Sequence, residues 1–437
     1  MSPTTSTPRP SIDLTRRDLA VDLVRVCCVL VVVTAHLLMV GVGFGADGAL
    51  EISKPLTEQP WFAAVSVFGQ VMPLFFALGG FAAITGWRSL RARGGDGADF
   101  LHARLIRLVR PTLPVFVFFT VALWGARGLG APEDVIAGVA AGVGTPLWFL
   151  AAFLLCQWAA PLMIRLHERA PWHTLVGLAG AATAVDLFRL GTGVAMVGLI
   201  NLAFVWLFAQ QLGFLYADGV FFRMRRRWLL ALAAAAASLT VAGVASGVYS
   251  PDMLANQYPA VFAIGLLAIV QLCGLALVHP ALTALMRTRP ARALTFVVGS
   301  RLMTVYLWHL TCIIAITGGC LLVPGWHPAP GSVDWWASRP LVLVAAFALV
   351  LLLSLAVARF ERGPRPLTAT ERRAPAWRVQ LATLLGFVPP FVILIHGLDP
   401  TLALFGLSLY SSALILIRPD RVATGRTTRG GGSDRRG

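Results

Sequence analysis

The first long apolar stretch of the chain contains two basic side chains, Arg25 and His36. Eleven helical steps separate them, which give about 16 Å of rise and about three turns, so both are expected on one face of a helix. Asp22 lies three residues before Arg25 and is a natural ion-pair partner. Histidine is well suited to take a proton from an alcohol near neutral pH. The pattern indicates a general base within the membrane. The structural alternative is an arginine that reaches the lipid surface and a histidine bonded to a carbonyl.

A second apolar stretch repeats this arrangement. Arg301 opens it, and His309 follows eight residues later in Tyr306-Leu-Trp-His309, about 12 Å deeper if the stretch is helical. Two histidines at similar depth on separate helices can face one cavity, where histidine is suited to take a proton from an alcohol. A structural histidine, satisfied by its neighbours, is the alternative for His309.

A third candidate is a cluster of arginines in the motif Arg104-Leu-Ile-Arg107-Leu-Val-Arg110, which leads into an apolar run. Residues at i, i+3 and i+6 share one side of a helix, so the three guanidinium groups would line the entry to the membrane. Forked guanidinium contacts are typical of phosphate binding. Spacing alone favours the alternative, a role in membrane topology and in binding anionic lipid.

The composition places these residues in a membrane protein. The chain is 57% hydrophobic and only 13% charged, whereas about a quarter of the residues of a soluble domain are charged. Apolar runs long enough to cross a bilayer of about 30 Å recur throughout. The sequence predicts an all-α, polytopic transmembrane helical bundle of about 10–12 spans. The candidate spans are residues 23–44, 63–87, 111–124, 147–164, 173–190, 194–216, 228–248, 258–279, 302–323, 341–357, 379–395 and 402–417.

The basic residues define the orientation of these spans. If the N-terminus is cytoplasmic and the spans alternate, all but four of the 36 lysines and arginines fall on the cytoplasmic side. The exceptions are Lys54, Arg127, Arg189 and Arg339. This is the pattern of the positive-inside rule. The net charge of +16 is therefore attributed to topology and to attraction by the lipid bilayer, and nucleic acid is not expected as a partner.

The remainder of the chain suggests one domain with simple extensions. Residues 1–17 and 418–437 are predicted to be disordered cytoplasmic tails, and no cleavable signal peptide is expected. Residues 18–361 form the main transmembrane domain, and residues 362–417 form an Arg/Pro-rich linker with a final apolar hairpin. The six cysteines lie in or at the ends of spans, so neither a disulfide framework nor a metal site is expected.

Six short motifs, in order, resemble the integral membrane acyltransferases of the acyltransferase-3 type. The resemblance covers residues from about 17 to 361. The usual Ser-Gly-Phe appears here as Gly79-Gly80-Phe81, and the usual Glu-x-Pro as Glu361-Arg-Gly-Pro364. The motifs are Asp22-Leu-Val-Arg25 with His36, Met72-Pro-Leu-Phe-Phe-Ala-Leu-Gly-Gly-Phe81, Arg104-x-x-Arg107, Pro146-Leu-Trp-Phe-Leu150, Tyr306-Leu-Trp-His309 and Phe360-Glu361-Arg362.

The resemblance implies transfer of an acyl group, commonly acetyl, from cytoplasmic acyl-CoA to a hydroxyl of a glycan or glycosylated small molecule. No cofactor is expected to be bound permanently, and no hydrolase-like extracytoplasmic domain is expected. Arg25 and His36 match the functional Arg–His pair of the family, and Arg104 and Arg107 match its second arginine motif. Other characteristic positions are matched by Trp148, Tyr306, His309 and Glu361.

The residues and the resemblance together suggest a mechanism. Arg25, Arg104 and Arg107 would bind the phosphates of CoA, and His36 would act as general base or acyl carrier. His309 and Tyr306 would polarise the thioester carbonyl or orient His36, and Glu361 would pair with one of the arginines. A proton-coupled secondary transporter or exporter is the main alternative, and an inactive scaffold is the second. The preference for arginine over a single lysine suggests the plasma membrane of a GC-rich bacterium.

Overall fold

The computed structural model describes residues 18–44, 50–361, 363 and 371–421. The predicted N-terminal tail, most of the C-terminal tail, Arg362 and most of the linker lie outside these residues. About four fifths of the described chain is helical. The helices are α1 (Leu19–Met39), α2 (Phe62–Gly69), α3 (Met72–Arg91), α4 (Gly97–Gly128), α5 (Glu133–Gly144), α6 (Leu147–Arg169), α7 (Pro171–Thr192), α8 (Asn201–Ala217), α9 (Val220–Arg223), α10 (Arg226–Ala245), α11 (Phe262–Leu285), α12 (Arg289–Gly299), α13 (Leu302–Leu321), α14 (Val333–Val357), α15 (Ala376–His396) and α16 (Pro400–Leu416).

Within the described residues, eleven helical segments are long and apolar enough to cross a membrane. The seventeen residues of α16 form a further apolar helix that is shorter than these. Each predicted span falls on one of these twelve segments, since α2 joins α3, and α5 joins α6, in a single apolar segment. The prediction of an all-α polytopic bundle is therefore confirmed.

The first predicted span is too long. Helix α1 ends at Met39, and residues 41–44 form a strand, β1 (Gly41–Phe44), instead of a last helical turn. This strand pairs antiparallel with β2 (Leu50–Ser53), and Gly41 lies opposite Ser53. Glycines at positions 41 and 43 weaken the helix, because glycine costs about 1 kcal/mol relative to alanine in a helix interior. A hairpin therefore covers the end of the bundle next to α1.

The third predicted span is too short. Helix α4 begins at Gly97, where Asp96 and Asp99 form a reciprocal capping box, and it continues through Pro111 and Pro114. Prolines are tolerated in membrane helices, because neighbouring groups can satisfy the freed carbonyls. The arginine cluster therefore lies on a helix, as its spacing predicts, and this helix of 32 residues begins well before the predicted span.

The segment that precedes α13 also differs from the prediction. Residues 289–299, which lie between two predicted spans, form the amphipathic helix α12. Helix α12 packs against α1 and α13, the two helices that contain the candidate histidines. The charged residues of this segment obscured its helical pattern in the sequence.

Glycines bring α3 and α8 into close contact at the centre of the bundle. A Cβ atom on Gly213 would lie 1.8 Å from the carbonyl oxygen of Ala77, and one on Gly80 would lie 2.2 Å from that of Gln210. Small residues permit this approach, which is the usual way in which membrane helices pack. Helix α3 also contacts α1 and α6, so this contact fixes the scaffold beside the candidate site.

The last two helices are part of the same bundle. Helix α15 packs against α6 and α4, and α16 packs against α4. Trp158 Nε1 donates to Gln380 Oε1 at 2.6 Å, and Trp124 Nε1 donates to the carbonyl of Pro400 at 3.0 Å. The final hairpin therefore supports α4, which contains the arginine cluster.

Candidate active site

The candidate histidines meet inside the bundle. Helix α1 provides His36 and helix α13 provides His309, and these helices pack against each other. The Nδ1 atom of His36 lies 2.7 Å from Nε2 of His309, and the ring centroids are 5.0 Å apart. The side chain of His309 is fully buried, whereas that of His36 is partly exposed to a cavity.

The backbone determines which nitrogen of each neutral ring carries a proton. His309 Nδ1 lies 2.7 Å from the carbonyl oxygen of Tyr306 and 3.2 Å from that of Val305. A carbonyl only accepts, so His309 Nδ1 is the donor and its Nε2 has a lone pair. His36 Nδ1 must then donate to His309 Nε2, which leaves the lone pair of His36 on Nε2. This tautomer gives His36 one nitrogen that is free to accept a proton.

The cavity next to His36 has a volume of about 460 Å³. Its walls come from α1, the β1–β2 hairpin, α5, the start of α6 and one face of α13. Trp148, Phe149 and Tyr306 form its aromatic side, and Phe149 contacts Tyr306 with ring centroids 4.7 Å apart. A cavity of this volume with a histidine nitrogen free to accept a proton at its wall is typical of a small-molecule site.

The hydroxyl of Tyr306 is already occupied. It donates a hydrogen bond to the carbonyl of Pro146, at the start of α6. The backbone carbonyl of Tyr306 accepts a hydrogen bond from His309 Nδ1. The expectation that Tyr306 polarises a thioester carbonyl is therefore not supported by its geometry, because its one proton is directed elsewhere. The contacts of Tyr306 instead orient His309 and join α13 to α6.

Trp148 lies at the N-terminus of α6 and lines the same cavity. Its ring packs against Trp206 on α8, with centroids 5.7 Å apart, and against Phe149. These contacts fix the Trp148 ring in place as part of the cavity wall.

The arginines gather at the opposite end of α1 from the hairpin. Arg25 on α1 and Arg107 on α4 both lie close enough to Arg104 for their positive charges to repel its own. Arg104 Nη2 donates to the carbonyl of Ala82 at 2.8 Å, and its guanidinium lies 4.9 Å from the centre of the Phe100 ring. Arg107 is exposed, and Arg110 is partly buried. Like charges that are gathered in this way form a surface for an anion with several charges.

Two carboxylates complete the predicted set. Asp22 Oδ1 lies 4.0 Å from Arg25 Nη1, so the expected pair is present. Glu361 accepts from the backbone N–H of Thr304 at 2.7 Å and from its hydroxyl at 2.5 Å, and it pairs with Arg301 at 3.5 Å. Glu361 therefore caps the first turn of α13, which fixes the helix that positions His309.

A family model described as an acyltransferase domain matches residues 18–359, more than three quarters of the 437 residues. The chain belongs to the acyltransferase-3 family. It is a multi-pass membrane acyltransferase, and the transporter alternative is not favoured. No curated protein and no solved structure matches the chain.

The structure of this acyltransferase-3 protein thus separates the predicted residues into two groups. His36, His309, Tyr306 and Trp148 lie around or beside the cavity, whereas Arg25, Arg104, Arg107 and Arg110 lie toward the end of the bundle opposite the β1–β2 hairpin. Glu361 and Asp22 support these groups from the helix ends. No group of three or more His, Cys, Asp and Glu side chains in the described part of the chain could bind a metal ion.

Sequence reasoning missed several residues that line the cavity. Lys54 and Ser53 reach it from the hairpin, and Gln70 and Gln257 reach it from the segments before α3 and α11. None of these residues belongs to the motifs of the resemblance. Lys54 had one signal of its own, because it is the single lysine of a chain that otherwise uses arginine.

Proposed function

We propose that this acyltransferase transfers an acyl group, most simply acetyl, from cytoplasmic acyl-CoA to a hydroxyl of a glycan or glycosylated metabolite, with His36 as general base. The observation that supports this proposal is the hydrogen bond between His36 Nδ1 and His309 Nε2, at 2.7 Å. It leaves Nε2 of His36 as a proton acceptor in a residue that lines the cavity.

The donor is assigned to the arginine-rich end of the bundle. Arg25, Arg104 and Arg107 present guanidinium groups that suit the phosphates of acyl-CoA, and Arg110 extends the same side of α4. Arg25 lies eleven residues before His36 on α1, about 16 Å along the helix axis. The pantetheine arm would follow α1 inward and bring the thioester to the histidine pair. No permanently bound cofactor is required.

The proposed reaction is a direct acyl transfer. His36 Nε2 removes the proton of the acceptor hydroxyl while its oxygen attacks the thioester carbonyl carbon. The carbon–sulfur bond then breaks, an ester forms, and His36 returns the proton to the sulfur of CoA. His309 accepts from His36 Nδ1 throughout, so it stabilises the imidazolium form and prevents rotation of the ring. His309 is thus a positioning residue and His36 is the catalytic residue.

The predicted orientation supports the assignment of the two substrates. With a cytoplasmic N-terminus, the arginine cluster faces the compartment that contains acyl-CoA, and the histidines lie deeper in the bilayer. The acceptor would belong to the cell envelope or to a secreted metabolite, and the protein would reside in the plasma membrane of a GC-rich bacterium. These statements rest on the charge pattern and on the family.

The proposal is tested by His36→Ala and His36→Gln in membranes that contain the protein. General base catalysis contributes about 10²–10⁴-fold, so acyl transfer from labelled acetyl-CoA should fall at least ~100-fold. The acceptor is identified by mass spectrometry of envelope polymers and secreted metabolites from a deletion strain, complemented with each variant. His173→Ala is the matched control, because His173 is exposed at the start of α7 and distant in sequence from both groups. Full activity in a folded His36→Ala variant would disprove the assignment.

A further inference from the structure

The cavity beside His36 extends toward the end of the bundle opposite the arginine cluster, which is called the outer end below. Its walls there come from the hairpin and from the segments that precede α3 and α11. The residues with polar side chains at this end are Ser53, Lys54, Thr57, Gln70 and Gln257. None of the lining residues belongs to the arginine cluster. The cavity therefore has a polar mouth at the outer end.

The part of the cavity nearer to His36 is apolar. Val32 lies one helical turn before His36, and the facing walls include Phe149, Leu310 and Ile314. The hydroxyl groups of a polysaccharide segment would lose their hydrogen bonds to water here and would meet few protein groups that could replace them. This loss would make the binding of such a segment unfavourable. The volume of about 460 Å³ also suits a single small molecule rather than a polymer. These walls favour an occupant with an apolar surface around its reacting hydroxyl.

Lys54 is the only residue of the cavity lining with a formal charge, and no carboxylate lines the described cavity. Its side chain is exposed. Because Ser53 pairs with Gly41, Lys54 lies about 6–8 Å beyond His36 along the axis of α1. The carboxylate of Glu58 accepts from the backbone N–H of Lys54 at 3.0 Å. An anion placed in the mouth would face the ammonium group of Lys54.

We propose that the acceptor enters this cavity from the outer end and is an anionic amphiphile, with its hydroxyl and apolar part beside His36 and its acidic group at Lys54. This proposal rests on the proposed function for the role of the cavity, and it specifies the class of acceptor. Acyl-CoA and the acceptor then approach the histidine pair from opposite ends. The acidic group is a phosphate or carboxylate on a lipid-linked or a free molecule.

Access is measured with cysteine labelling, which does not require acyl transfer. Gly318→Cys, in a background in which the exposed Cys27 and the partly exposed Cys320 are changed to Ser, places a thiol in the cavity wall where an added Cβ would meet no atom within 4 Å. Membrane-impermeant methanethiosulfonates should label it in right-side-out vesicles and not in inside-out vesicles. Ser89→Cys, an exposed position at the arginine-rich end of α3, should show the reverse. Labelling of Gly318→Cys only from the inside would overturn the proposal.

The role of Lys54 is measured with reagents of opposite charge. The rate ratio of sulfonatoethyl to trimethylammonioethyl methanethiosulfonate at Gly318→Cys should fall by about threefold or more when Lys54→Gln is added. Lys54→Arg keeps the charge and should keep the ratio, so it is the matched control. An unchanged ratio in Lys54→Gln would remove the charge from the proposal and contradict it.

The class of acceptor is measured by protection of the same thiol. Decyl phosphate should slow the labelling at least fivefold, octyl glucoside less, and inorganic phosphate at the same concentration hardly at all. If phosphatidylglycerol in the vesicles also protects, the acceptor is membrane-borne; protection by soluble decyl phosphate alone indicates a free molecule. Protection by palmitoyl-CoA from the inner side, with none by decyl phosphate, would assign the cavity to the donor acyl chain instead. Because no transfer is measured, a negative result here is distinct from a failure of the His36 experiment.

Discussion

His36 on the first helix and His309 on the thirteenth share a hydrogen bond of 2.7 Å across 273 residues of sequence. The carbonyl oxygens of Val305 and Tyr306 determine the direction of this bond, because they can only accept from His309 Nδ1. The pair is therefore asymmetric. His36 keeps the free basic nitrogen, and His309 serves as its acceptor.

This asymmetry predicts different effects for two substitutions of His309. His309→Phe preserves ring shape but removes the acceptor, so kcat should fall roughly 10–100-fold because His36 loses its fixed orientation. His309→Gln retains an acceptor oxygen and should lose less. The KM for acyl-CoA should change little in either variant. Initial rates in membranes measure these effects, and an equal loss in both variants would contradict the orienting role.

The arginine cluster predicts a defect in donor binding. Arg107 is exposed, so Arg107→Ala should leave the fold intact and raise the KM for acyl-CoA about tenfold or more, the usual value of a lost charge-assisted hydrogen bond. Arg127→Ala is the matched control, since Arg127 lies at the other end of the same helix and pairs with Glu133 at 2.8 Å. A similar KM change in the control would show a general effect of charge instead of donor binding.

Glu361 predicts a coupled loss of stability and activity. Glu361→Ala leaves the N–H of Thr304 without its acceptor, which costs about 1–3 kcal/mol when the group is buried. Activity should fall in parallel, because the first turn of α13 precedes His309. Glu361→Gln keeps an acceptor oxygen and should be intermediate in thermal unfolding. Loss of activity in Glu361→Ala with unchanged unfolding would instead indicate direct contact with a substrate.

The contact between α3 and α8 predicts a packing defect. Gly213→Ala places a methyl group against the carbonyl of Ala77, so the helices must separate and stability should fall by about 1–3 kcal/mol. Gly274→Ala on α11 is the control, because an added Cβ there would meet no atom within 4 Å. Thermal unfolding in detergent compares the two variants. Equal stability would show that the bundle adjusts to the added methyl group.

Much of this architecture was predicted from the sequence for simple physical reasons. A membrane-spanning segment must satisfy its backbone hydrogen bonds within itself and is therefore helical, so length and hydropathy alone located all twelve apolar segments. The spacing of Arg25 and His36 also determined their separation along α1, because helical geometry is fixed. The pairing of Glu361 with an arginine was expected, although the partner Arg301 was identified only from the structure.

Other features depend on contacts between distant segments. The predicted spans missed the end of α1 at Met39 and the start of α4 at Gly97. Whether a glycine or a proline ends a helix depends on the segments packed around it, which the local sequence does not show. The occupied hydroxyl of Tyr306 could not be inferred from its motif, since its acceptor Pro146 belongs to another helix. Lys54 entered the site only through the hairpin.

The sequence by itself determined that this protein is a helical membrane bundle with basic residues at one end and histidines within its spans. Hydrophobicity and charge act locally along the chain, so these properties are readable without a fold. Only the tertiary structure decided that His36 donates a hydrogen bond to His309. It also decided that a cavity with Lys54 at its mouth opens beside the two histidines. These relationships depend on how α1 packs against α13, because a hydrogen bond requires two helices to place atoms within about 3 Å of each other.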